Sequence, residues 1–166
     1  MSIHSPFSLI VKKLNMSFLA FVFVRRNAAV LHAGHVGWGF QLDDGLFFCG
    51  ATENPVGNAL VLPGGNNGWW GKKVQYQEEM FNEMKARCYD EYKWIEVKDG
   101  DSILAYKAAL ATAKWGYTVL GNNCLDHTYA VLFAYKVKNL PLKQFNIAPN
   151  DWYDKLVGGG GSCFLP

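Results

Sequence analysis

Cys124 occupies a place in the chain where a thiol can act as a nucleophile. The polar turn Gly121-Asn122-Asn123 delivers it to the start of the apolar run Leu125–Ala134, which reads as a helix. The first N–H groups of a helix lack internal partners, and that end carries partial positive charge. Both effects favour a thiolate over a thiol. A cysteine nucleophile also needs a base, a group to orient the base, and donors for an oxyanion. The backbone N–H groups of Cys124 and Leu125 are the nearest candidates for the last role.

His35 is the candidate base. It opens the run His35-Val36-Gly37-Trp38-Gly39-Phe40-Gln41-Leu42, whose strict alternation predicts a strand. Val36, Trp38, Phe40 and Leu42 share a core face; His35, Gly37, Gly39 and Gln41 share the other. The second face is stripped of bulk, which predicts an open surface that backbone or substrate can approach. Asp43-Asp44-Gly45 then reads as a hairpin turn, with Leu46–Glu53 returning antiparallel. A two-residue turn places Asn54 opposite His35, and a three-residue turn places Glu53 there. Asp-Gly is the stronger two-residue signal and favours Asn54. Either side chain can accept a bond from the imidazole and fix its tautomer.

The elements around these residues read as α+β, a small antiparallel sheet packed against helices. Phe18–Val24 is a buried strand and Tyr92–Val97 another. Tyr76–Arg87 is a helix with Met80, Phe81 and Met84 turned to the core, and Asp99–Ser102 caps a second helix that Gly116 ends. Residues 54–74, rich in glycine, asparagine and proline, read as one loop of about twenty residues. Trp69 and Trp70 inside it read as loop anchors, with a substrate platform as the sharper alternative. Residues 1–15 read as a peripheral extension and Met16 offers a second start. Residues 16–157 form a single domain, and 158–166 form a flexible glycine-rich tail.

The 166 residues are half hydrophobic and 15% aromatic, which supports a packed core and excludes a disordered chain. A net charge of +2 without a basic stripe excludes a nucleic-acid binder. No apolar run reaches the roughly 20 residues of a membrane span. Cys49, Cys88, Cys124 and Cys163 are scattered with no CxxC pair, which argues for a reducing, cytoplasmic setting and against a disulfide framework. Cys49 and Cys88 read as core-facing. His32, His35, Cys49, Cys124 and His127 lack the close spacing of metal ligands, so neither a metal nor another cofactor is expected. His32 reads as a loop residue. His127 reads as ion-paired or partly solvated, with a backup base as the lesser alternative. Nothing in the sequence speaks to oligomeric state.

Gly116-Tyr117 followed by Gly121-Asn122-Asn123-Cys124 and His127 resembles the Tyr…Asn-Cys signature of the circularly permuted NlpC/P60 papain-like families. These include the lecithin:retinol acyltransferase-like proteins. The segment His35-Val36-Gly37 is similar to their early histidine strand, and the likeness spans roughly residues 18–135. It implies a permuted papain-like architecture, Cys124 as nucleophile and His35 as base, with Tyr117 and Asn123 beside the thiol. Two departures stand out: no second histidine lies on the returning strand, and Leu125-Asp126 replaces the Cys-Glu-His pattern. The resemblance implies a thiol hydrolase or acyltransferase acting on a small-molecule, peptide or lipid acyl substrate. The alternative is a non-catalytic binding module on the same fold.

Overall fold

The computed structural model describes residues 17–28 and 33–164. The extension 1–15, Met16 and His32 lie outside the described residues. The elements in order are β1 (Ser17–Arg25), β2 (His35–Gln41), β3 (Phe47–Thr52), β4 (Leu60–Val61), β5 (Trp69–Val74), α1 (Gln77–Ala86), β6 (Glu91–Lys98) and α2 (Ser102–Thr112). Then come β7 (Tyr117–Thr118), α3 (Cys124–Ala134), a 3-10 turn (Lys143–Phe145), α4 (Pro149–Asp154) and β8 (Gly159–Ser162). Six strands form one sheet in the order β5-β3-β2-β1-β6-β8, every pairing antiparallel. β4 and β7 form a separate two-stranded ribbon. The fold is α+β, as the periodicities predict. Among the described residues, no helix is long and apolar enough to cross a membrane.

The sheet is covered on both faces, so β1 reads as a continuous apolar run rather than an alternating one. Ala20, Val22, Val24, Val36, Trp38 and Phe40 pack with α2, α3 and α4 through Ala105, Ala109, Leu132 and Trp152. Phe21, Phe23, Cys49 and Ala51 pack instead with Met80 and Met84 of α1 and with Tyr89. The glycine face of β2 is therefore not open. A Cβ on Gly37 would lie 2.8 Å from Met84 Cε, and one on Gly39 would lie 2.6 Å from Met80 Sδ. The bulk missing from β2 comes from α1, whose unbranched methionines fill the narrow space over the glycines.

The β2–β3 hairpin closes with three residues, not two. Trp38 faces Gly50 and Gln41 faces Phe47, while Leu42 N–H bonds Leu46 O at 2.7 Å. Gly45, at φ +85°, completes the loop and donates to Leu42 O at 3.0 Å. A glycine in the left-handed region after a turn is the usual three-residue solution. The register thus points Glu53, not Asn54, towards His35.

Two other expectations change. The segment 54–74 is not a single loop, because β5 takes its last six residues and pairs with β3 along its length. β5 is an edge strand, and Lys72 and Lys73, which guard such an edge, hide its apolar alternation. The glycine-rich tail is a strand rather than a linker: β8 pairs with β6 from Glu91↔Ser162 to Trp94↔Gly159. Its lack of side chains is what lets aromatic rings close over it. A Cβ on Gly159 would fall 2.1 Å from the Trp94 ring, and one on Gly161 would fall 2.8 Å from the Tyr92 hydroxyl. Cys163 beyond it is buried, and burial pushes its thiol up to about 12. Burial likewise takes Cys49 up to about 12. Cys88, by contrast, is exposed at a φ of +65°, not core-facing.

Candidate active site

The site forms where the β2–β3 ladder ends although both strands run on. The β2–β3 ladder starts at Trp38↔Gly50, so Gly37, Val36 and His35 continue beyond it, paired only with β1. The N-terminus of α3 packs against this end of β2, with the Thr128 hydroxyl reaching Val36 O at 3.4 Å. Asn123 caps the helix: its Oδ1 accepts from Leu125 N–H at 2.9 Å and Asp126 N–H at 3.3 Å. Asp126 Oδ2 accepts in return from Asn123 N–H at 3.1 Å. This reciprocal capping box fixes where the helix begins, and therefore where Cys124 stands.

Cys124 is buried within hydrogen-bonding reach of the His35 ring. Burial alone would push its thiol up. The His35 charge, a bond to His35, the Val36 N–H and the Tyr117 hydroxyl outweigh burial and hold the thiol below its ordinary range. Burial would likewise lower His35, but the Cys124 thiolate and then Glu53 override it, so the imidazole is held above its ordinary value. The two shifts have one cause, since each group favours the charged form of the other. His35 Nε2 is the nitrogen turned to Glu53.

Glu53 Oε2 stands 3.4 Å from His35 Nε2, an ionic contact without the alignment of a hydrogen bond. The same oxygen accepts from an Arg25 guanidinium N–H at 3.2 Å. Its other oxygen accepts from Trp70 Nε1–H at 2.9 Å and the Tyr89 hydroxyl at 3.0 Å. Burial, reinforced by the neighbouring carboxylate, keeps the Tyr89 hydroxyl protonated, in the state that donates. Asn54 plays no part at this centre. It sits in the following loop at φ +40°, its amide donating to Asn58 O at 2.9 Å.

The expected oxyanion donors are differently engaged. Leu125 N–H belongs to the Asn123 cap, so Asn123 and Leu125 build the helix start and leave no free donor there. The Tyr117 hydroxyl lies beside the Cys124 N–H and sulfur, and both act on it. Burial first, then the nearby thiolate, raises Tyr117 well above the usual phenol range, so it remains a donor. Trp69 and Trp70 diverge, as neighbours on a strand must. Trp69 packs on the α3 side of the sheet, and Trp70 reaches the carboxylate on the α1 side.

His127 is neither ion-paired nor solvated, but fully buried. Its Nε2 lies 2.7 Å from Asn122 Oδ1 and its Nδ1 lies 2.8 Å from Thr52 Oγ1. The Asn122 amide nitrogen donates to Trp115 O at 2.7 Å, so its oxygen is the atom facing the ring. Nε2 must then carry the proton and Nδ1 must accept from Thr52. Burial lowers this imidazole to about 4 and keeps it neutral. His127 thus ties α3 to the residue preceding Glu53, an arrangement sequence spacing along one helix cannot reveal. Arg25 and Tyr89 are further residues that the sequence pattern does not single out, and Trp70 enters as a partner of Glu53 rather than as a substrate platform. The pairing of Arg25 with His35 across β1 and β2 is the signal that places the first of them.

Among the described residues, no group of three histidine, cysteine or acidic side chains is placed to hold a metal ion. Comparison of the chain with family models, curated proteins and solved structures returned no match.

Proposed function

We propose that this protein is a cysteine-dependent hydrolase or acyltransferase of the circularly permuted NlpC/P60 papain-like kind. The observation that carries the reading is the Cys124 thiol at a capped helix start, facing a histidine that is backed by a fully engaged carboxylate. In this reading the Cys124 proton passes to His35, and the sulfur attacks the carbonyl carbon of an ester or amide. The carbonyl electron pair moves to oxygen, where the Tyr117 hydroxyl donates. The tetrahedral intermediate collapses, and His35 returns its proton to the departing alcohol or amine. A water, or an acceptor amine or alcohol, then gives its proton to His35 and releases the acyl group. Glu53 orients the ring from its Nε2 side.

The competing reading is a binding module on the same fold. It is favoured by the closure of the site: Cys124 and His35 are each only 3% exposed. Exposure to p-nitrophenyl acetate followed by peptide mass spectrometry separates the two. The enzyme reading expects an acetyl adduct on Cys124 that is lost in Cys124→Ala and falls at least tenfold in His35→Ala. An unmodified Cys124 in the wild type favours the binding module.

A further inference from the structure

One row of the sheet crosses three strands at the site. Arg25 of β1 pairs with His35 of β2, and the hairpin register carries the same row to Glu53 just beyond β3. In that row a single carboxylate oxygen, Glu53 Oε2, is claimed from both sides. Arg25 donates to it at 3.2 Å, while His35 Nε2 stops at 3.4 Å and makes no aligned hydrogen bond. The other oxygen is filled by Trp70 and Tyr89, so the carboxylate cannot rotate to serve His35 better. Arg25 is itself fixed, its second guanidinium nitrogen donating to Arg87 O at 3.1 Å and its guanidinium carbon lying 5.6 Å from the Tyr89 ring centre.

We propose that Arg25 is a positioning residue for the triad: by sharing Glu53 Oε2 with His35, it prevents the imidazole from locking onto the carboxylate. The ring is steered by Glu53 but stays available to the thiol. This rests on the reading of Cys124, His35 and Glu53 as one catalytic unit. The groups that face His35 and Glu53 are Arg25 from β1, Trp70 from β5, Tyr89 ahead of β6 and Cys124 from α3. Apart from burial, the Cys124 thiolate and Glu53 favour the imidazolium and Arg25 opposes it, in keeping with the geometry.

The test is an NMR titration of the histidine rings in the free protein, comparing wild type with Arg25→Gln and Arg25→Lys. Removing the competitor should raise the His35 titration by roughly one pH unit, the usual effect of a neighbouring charge. It should also bring out a slowly exchanging Nε2–H signal absent from the wild type. Arg25→Lys, which keeps the charge, should follow the wild type. His127, whose ring nitrogens bond Thr52 and Asn122 rather than Arg25 or Glu53, reports the fold in the same spectra and should titrate unchanged near 4 in every variant. A His35 titration that stays put or falls in Arg25→Gln, with His127 unchanged, overturns the proposal. So does an Arg25→Lys protein that behaves like Arg25→Gln. Because no substrate is used, this outcome is separate from whether Cys124 forms an acyl adduct.

Discussion

At the scale of single residues, two histidines of one chain are set to opposite tasks by what surrounds them. His35 has a thiol on one side and a carboxylate on the other, so burial is overcome and the ring is held above its ordinary value. His127 has an amide oxygen and a hydroxyl at its ring nitrogens, and burial outweighs the pull of Asp126 and holds it near 4. The stability consequence follows from His127. Below pH 6.5 the unfolded chain takes up a proton that the folded ring refuses until about pH 4, so stability falls as pH drops through that window. The loss attributable to this group is on the order of 3 kcal/mol. Urea denaturation at pH 7 and pH 4.5 should show it as an excess acid sensitivity of wild type over His127→Gln. Equal acid sensitivity in the two proteins would remove the buried neutral His127 from the picture.

At the scale of elements, the site depends on where α3 begins and on one residue of hairpin length. Asn123→Ala removes the oxygen that caps α3 and should lower stability by about 1 kcal/mol or somewhat more. Because the same cap positions Cys124, alkylation of that thiol should also slow. Asn123→Asp keeps the oxygen and should recover most of both, as thermal melting and labelling rates would report. The thiol, the histidine and the antiparallel hairpin were all legible in the sequence, because each depends on local spacing. The third residue was not, since Asp43-Asp44-Gly45 suits two turn lengths whose registers differ by one residue. β5 escaped notice because lysines interrupt its pattern. β8 escaped because its stabilising rings, Trp94 and Tyr92, belong to another strand. The covering of the β2 glycines by Met80 and Met84 has the same origin: a pattern on one strand completed by a helix forty residues away.

At the scale of the whole molecule, charge is unevenly spread. Residues 54–71 and 115–125 contain no acidic, basic or histidine side chain, and they meet in the β4–β7 ribbon that carries Tyr117 to the thiol. Leu60, Leu62, Val119 and Leu120 are exposed on these segments. A surface of that kind suits an uncharged, apolar group next to the scissile bond, since burying a charge there would leave it unpaired. Under the hydrolase or acyltransferase reading, p-nitrophenyl butyrate should therefore acylate Cys124 faster than the acetate, and a succinyl ester should be slower than either. Equal rates for the three esters would show that the ribbon contributes nothing to selection. The remaining cysteines do not share the chemistry: Cys49 and Cys163 are pushed up to about 12 by burial, and Cys88 lies exposed outside the site.

The central claim is that Cys124 and His35 form a reactive pair, and the pH dependence of iodoacetamide labelling tests it most directly. Labelling is followed at each cysteine by peptide mass spectrometry across pH 5–9, in wild type and in His35→Ala. The pair predicts that Cys124 reacts with an inflection well below that of an ordinary thiol, and that the inflection moves up by one pH unit or more when His35 is removed. A Cys124 labelling curve identical in the two proteins would contradict it.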